Sequence, residues 1–106
     1  MKPIIAQLSS AEKYQSLLHG SPQTKGMKSG HVILQPGESV GEHTTAMREE
    51  AIIVLQGKGE VTADNNPPIV VQEGTLAYIP PETRHNVQNT SDQPLEYIYV
   101  VSPILP

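Results

Sequence analysis

From Gly30 to Val101 no stretch runs far before a turn signal interrupts it, and the runs between turns are short and rich in β-branched residues. "HVILQPG" closes on Pro36-Gly37, "AIIVLQGKG" on Gly57-Lys58-Gly59, and "EVTA" runs into "DNNPP". "IVVQEG", "LAYIPP", "HNVQN" and "LEYIYVV" follow, each ended by Gly, Pro, Asn or Asp. Runs of this length and composition suit a pleated, half-buried surface. Seven or eight of them at this spacing predict an all-β sandwich or barrel.

A chain of 106 residues suffices for one domain around a single core. With no Phe or Trp and only four Tyr, that core must be built mainly of Val, Ile and Leu. The seven Lys and Arg are scattered and the formal net charge is -4, so no basic patch exists for a phosphate backbone and nucleic acid is not an expected partner. The longest apolar runs, Ala51 to Leu55 and Ile98 to Val101, fall far short of a bilayer span, and the N-terminus shows no signal-type apolar stretch. These features predict a cytoplasmic protein that does not engage membranes. Cysteine is absent, which excludes disulfides, thiolate metal sites and thiol nucleophiles. The Asn89-Thr90-Ser91 sequon carries no weight without a secretory route.

One segment reads differently. In "LSSAEKYQSLLHGSP", Ser9 and Glu12 are spaced as a capping box, Tyr14, Leu17 and Leu18 form an apolar stripe, and Gly20 and Pro22 supply a stop. The expectation is a short helix ending near His19, a surface residue at the negative end of the helix dipole. Residues 1–29 are accordingly assigned an N-terminal strand and this helix, packed on a barrel formed by residues 30–106. The tail "SPILP" is too Pro-rich to extend a strand.

His43 and Glu50 are seven residues apart, and His85 follows a Pro-Pro turn some forty residues later. Two imidazoles and one carboxylate form the donor set of a facial triad, which leaves positions on a divalent metal open to substrate. On a helix His43, Met47 and Glu50 would share a face, but the β-branched run after Glu50 reads as a strand with His43 across the preceding turn. Alternation then turns Glu50, Ile52 and Val54 one way and Glu49 the other, while His85, Val87 and Asn89 share a face. A carboxylate at the end of an apolar face needs a partner, and a metal is one. The residues also permit plainer roles: His43 as part of a polar loop, and Glu50 paired with Arg48 or Arg84. His31 alternates with Ile33 and Gln35, opposite Val32 and Leu34, and belongs to an outer or mixed face rather than a ligand set. Side chains such as Ile33, Ile52, Tyr78, Val87 and Tyr97 are candidates to shape any pocket. No serine elbow and no phosphate loop is present.

These residues resemble the cupins, small jelly-roll barrels with two short motifs facing each other across the barrel mouth. The first motif reads Gly, five residues, His-x-His, three or four residues, Glu, six residues, Gly. "GESVGEHTTAMREEAIIVLQG", from Gly37 to Gly57, matches it with His43 and Glu50, except that Thr45 stands at the second His. The second motif reads Gly, five residues, Pro-x-Gly, two residues, His, three residues, Asn. "GTLAYIPPETRHNVQN" supplies Gly74, Pro80, His85 and Asn89, with Glu82 in place of the middle Gly. The resemblance spans residues 30 to 101 and implies an all-β, double-stranded β-helix (jelly-roll) barrel.

It further implies a divalent transition metal (Fe, Mn, Ni or Zn) held by His43, Glu50 and His85, a small-molecule ligand or substrate, and a homodimer. Thr45 replaces an imidazole by a far weaker ligand; Thr45 and Glu49 remain possible additional site residues, placing water or substrate. Glu82 sits where the motif puts Gly at positive φ, so the turn is either of another type or mildly strained. Three functions are consistent with this: a metal-dependent dioxygenase, isomerase or lyase; a non-enzymatic module that binds or senses a small molecule; or a self-associating protein pairing through "MKPIIAQL" or "PLEYIYVV".

Overall fold

The computed structural model describes residues 1–105 and is all-β: nine strands and, among the described residues, no helix. In chain order they are β1 (Tyr14–His19), β2 (Lys28–Leu34), β3 (His43–Thr44), β4 (Arg48–Gln56), β5 (Lys58–Ala63), β6 (Ile69–Gln72), β7 (Leu76–Ile79), β8 (Arg84–Gln88) and β9 (Leu95–Pro103). They form a five-stranded sheet in the order β1-β2-β9-β4-β7 and a four-stranded sheet in the order β3-β8-β5-β6, with every pairing antiparallel. This is the expected jelly roll.

Period-two alternation builds the core. Val32 and Leu34 of β2, Ile52 and Val54 of β4, and Leu95 and Tyr97 of β9 are buried, as are Val61, Val71 and Val87 of the smaller sheet. Aliphatic side chains of this kind contribute about 1.5–3 kcal/mol each when fully buried, which explains how a chain lacking Phe and Trp holds two sheets together. β9 leaves its neighbours little spare room: at Gly30, which pairs with Tyr99, an added Cβ would collide with the Tyr99 ring.

Two expectations fail, and part of a third does. The helix over Ser9 to Leu18 is absent, and Tyr14–His19 is instead β1, the edge partner of β2. Ser9 makes a local turn, its hydroxyl accepting from the Ala11 N–H at 3.2 Å, while its own N–H donates to Gln15 Oε1 at 2.8 Å. The backbone groups along β2 need partners, and that tertiary demand outweighs a helix propensity worth only tenths of a kcal/mol per residue. Second, the tail does extend a strand: β9 runs to Pro103, with Ser102 and Pro103 opposite Glu49 and Arg48. Third, "PLEYIYVV" cannot offer an open edge, because β9 lies between β2 and β4; "MKPIIAQL" forms no strand, and its Ile5 is exposed.

Candidate metal centre

The two motifs meet because β3 pairs with β8, setting His43 opposite His85. β4 of the other sheet brings Glu50 toward them. One donor atom from each of His43, Glu50 and His85 lies within 4.8 Å of the others. Glu50 and His85 are buried and His43 is exposed, its ring tilted against that of His85 with centroids 4.2 Å apart.

Backbone carbonyls set the tautomers. His43 Nδ1 donates to Gly41 O at 3.0 Å, and His85 Nδ1 donates to Thr83 O at 3.1 Å. A carbonyl only accepts, so each Nδ1 carries a proton. Gly41 is suited to holding His43 in this way, since at φ +98° it adopts a backbone that other residues resist, and its N–H is tied to Asn86 Oδ1 at 2.9 Å. His85 Nε2 meets Glu50 Oε1 at 3.0 Å, and each is the other's partner. Burial lowers the proton affinity of His85, but the Glu50 carboxylate and the Thr83 carbonyl outweigh it, so its pKa is raised. His85 and Glu50 thus form a buried hydrogen-bonded pair. A divalent cation entering between them would replace that hydrogen bond and find three N and O donors of the expected chemistry.

Thr45 and Glu49 do not join this cluster. Thr45 is buried, and its hydroxyl donates to Pro80 O at 2.7 Å while accepting from the Thr83 N–H at 3.1 Å. The Thr45 N–H donates to Thr83 O at 3.2 Å, and the Glu82 N–H to Ala46 O at 2.9 Å. The residue in place of the second His thus ties one motif turn to the other. Ala46 and Glu82, bonded across that junction, both have positive φ, 52° and 56°, so Glu82 does take the conformation that the motif reserves for Gly. Glu49 points to the opposite face, where it accepts from the Tyr78 hydroxyl at 2.6 Å.

The alternative partners for Glu50 are also placed. Arg84 bonds Glu42 through Nε at 3.2 Å and Nη2 at 2.9 Å, and Arg48 makes no ion pair among the described residues. His31 lies on the face away from Val32 and Leu34 but is fully buried, with Nε2 2.6 Å from Glu96.

Beside the cluster opens a cavity of about 280 Å³. Its walls are Val32, Val40, Val87, Val101, Tyr14, Tyr97 and Tyr99, and its polar lining is His43, Thr44, Thr45, Arg48 and Glu50. Burial first, and then the Glu50 charge, raise the pKa values of Tyr97 and Tyr99, so both phenols keep their protons. Of the side chains expected from sequence to shape a pocket, Val87 and Tyr97 line this one, Ile33 does not, Ile52 is core, and Tyr78 is exposed on the far side. The sequence suggests Arg48 only as a partner for Glu50. Alternation along β4 places it on Glu50's face, the signal that would have assigned it to the cavity.

Comparison with known proteins gives consistent results. A family profile described as "Cupin domain" matches residues 30–101. The polyketide synthase protein CurC of Streptomyces cyaneus is 32% identical over 81% of this chain and 57% of its own length. The tetracenomycin polyketide synthase protein TcmJ of Streptomyces glaucescens is 26% identical over 81% of this chain and 59% of its own length. The chain thus spans less than two thirds of these relatives. Among solved structures, an RmlC-like cupin family protein of Methanocaldococcus jannaschii with a double-stranded β-helix fold superposes with a TM-score of 0.82 at 22% identity, covering 97% of this chain and 93% of that one. A Cupin 2 conserved barrel domain protein from Salinispora arenicola gives 0.76 at 25% identity, covering 95% and 89%.

Proposed function

Since the chain belongs to the cupin domain family, we propose that His43, Glu50 and His85 hold a divalent transition metal (Fe, Mn, Ni or Zn) and that the adjoining cavity binds a small molecule on which a metal-dependent dioxygenase, isomerase or lyase reaction takes place. The observation that supports this is the convergence of three donors from two sheets beside a mostly apolar cavity. When bound, such a metal supplies Lewis acidity toward an oxygen-bearing substrate. The chain contributes the rest. Gly41 and Thr83 aim the two imidazoles, the valines exclude water from one side, and the protonated Tyr97 and Tyr99 offer hydrogen-bond donors. Two relatives carry polyketide synthase names, which fits a small organic substrate.

The His85–Glu50 contact supports a second reading. These groups satisfy each other without a cation, as a non-enzymatic binding or sensing cupin requires. Metal analysis of untagged protein and of a Glu50→Ala variant separates the two. Near-stoichiometric metal that disappears in the variant is the expected result. Metal-free protein that gains no thermal stability from added Fe, Mn, Ni or Zn leaves the binding-module reading in its place.

A further inference from the structure

Arg48 stands at the rim of the cavity without an acid to neutralise it. It precedes Glu50 by two residues on β4 and so shares its face, and its side chain lines the cavity while remaining exposed. The two carboxylates nearest in sequence are engaged elsewhere. Glu49 is turned to the opposite face and holds the Tyr78 hydroxyl at 2.6 Å, and Glu50 faces His85 Nε2 at 3.0 Å. The Arg and Lys side chains that do form ion pairs among the described residues are engaged with acids elsewhere, Arg84 with Glu42 and Lys13 with Glu38. Among the described residues, Arg48 is therefore the one guanidinium presented to the cavity.

Deeper in, Tyr97 is almost entirely buried, 2% exposed, yet its hydroxyl has no hydrogen-bond partner among the described residues. His31 Nδ1 is the only sealed side-chain polar atom lacking a partner among the described residues, so the Tyr97 oxygen is not one of these, and Tyr97 belongs to the cavity wall. Tyr99, also on the wall, likewise has no partner for its hydroxyl among the described residues. The guanidinium at the mouth only donates, and the phenols within can donate, so acceptors on a ligand would suit them all. The valine walls require the remainder of the ligand to be apolar. A cavity of about 280 Å³ lies at the lower end of the range for pockets that hold drug-sized molecules, so the ligand is small.

We propose that this cavity is selective for a small organic carboxylate with an apolar body, its carboxylate paired with Arg48 and an oxygen further along the molecule accepting from Tyr97 or Tyr99. The planar fork of Arg48 matches the two oxygens of a carboxylate, whereas a neutral amide of the same shape gains nothing from its charge. This rests on the reading of the cavity as the ligand site of the metal centre.

The test compares 4-acetylbenzoate, 4-oxocyclohexanecarboxylate and their primary amides by calorimetric titration. It uses chelator-treated and Mn(II)-loaded wild-type protein, Arg48→Gln and Arg48→Lys. At least one acid is expected to bind the wild type about tenfold more tightly than its amide, with the preference lost in Arg48→Gln and partly kept in Arg48→Lys. Because Arg48 is exposed and makes no ion pair among the described residues, the variants should melt with the wild type and take up the same amount of Mn(II). Equal affinity for acid and amide, or no binding of any of the four at millimolar concentration, overturns the proposal. So does an acid preference that persists in Arg48→Gln: confined to the Mn(II)-loaded protein, it would leave the metal reading standing and assign the carboxylate to the metal. A preference that depends on Arg48 in protein that takes up no Mn(II) would uphold the anion site while the metal reading fails.

Discussion

At Thr45 an expected imidazole is replaced by a hydroxyl that holds two turns together. It donates to Pro80 O and accepts from the Thr83 N–H, bonds that a valine of nearly the same shape cannot make. Thr45→Val should therefore destabilise the protein by roughly 2–4 kcal/mol through the unpaired backbone groups it leaves, while Thr45→Ser stays close to wild type; chemical denaturation distinguishes them. Nothing local in the sequence announces this role, because both partners lie more than thirty residues away. His43, Glu50 and His85 are visible in the sequence by spacing, but spacing and alternation leave plainer roles open, and it is the pair of cupin-like motifs that singles out the set. Alternation fixes the facing of Glu50 and His85, not of His43 on its two-residue polar strand. His85 also carries a pH dependence. In metal-free protein its pKa is raised above the ordinary 6.5, burial opposing and Glu50 prevailing. The stabilisation is complete below the unfolded value and is lost as pH rises through the folded one. Denaturation of chelated wild type should show stability falling over that window, and Glu50→Gln should flatten the slope.

Among the elements, the strands of the jelly roll follow from their turn signals, and the single helix expected from a capping box does not form. Ser9 and Glu12 have the right spacing, but such a local preference is weak against an unpaired sheet edge, and Tyr14–His19 fills that edge. The extension of β9 to Pro103 has the same origin: Arg48 and Glu49 at the start of β4 supply the facing backbone. Strand pairing also explains the demand for glycine at position 30. There Gly30 of β2 lies directly opposite Tyr99 of β9, and the Tyr99 ring occupies the place of a side chain. Gly30→Ala should displace that ring, cost about 1–3 kcal/mol through overpacking, and alter ligand binding in the cavity that Tyr99 lines. Retention of wild-type stability and ligand affinity together would show that the ring can move freely, contrary to the packing described.

At the scale of the molecule, the two sheets share one aliphatic core, and their open end carries the cluster. If a divalent metal binds there, its binding energy adds to folding: at free metal about a hundredfold above Kd it contributes about 2.7 kcal/mol, or a rise in Tm of about 10–20 °C for a domain this small. Thermal melts with and without chelator measure this, and the increment should vanish in Glu50→Ala. Both histidines belong to the four-stranded sheet and the carboxylate to the five-stranded one. The cluster is thus a jaw with its teeth on separate plates, and its bite is set by the thickness of the core between them. A change of side-chain volume among the valines and isoleucines, far from any donor atom, would reset the gap, making metal preference a property of the filling as well as of the ligands.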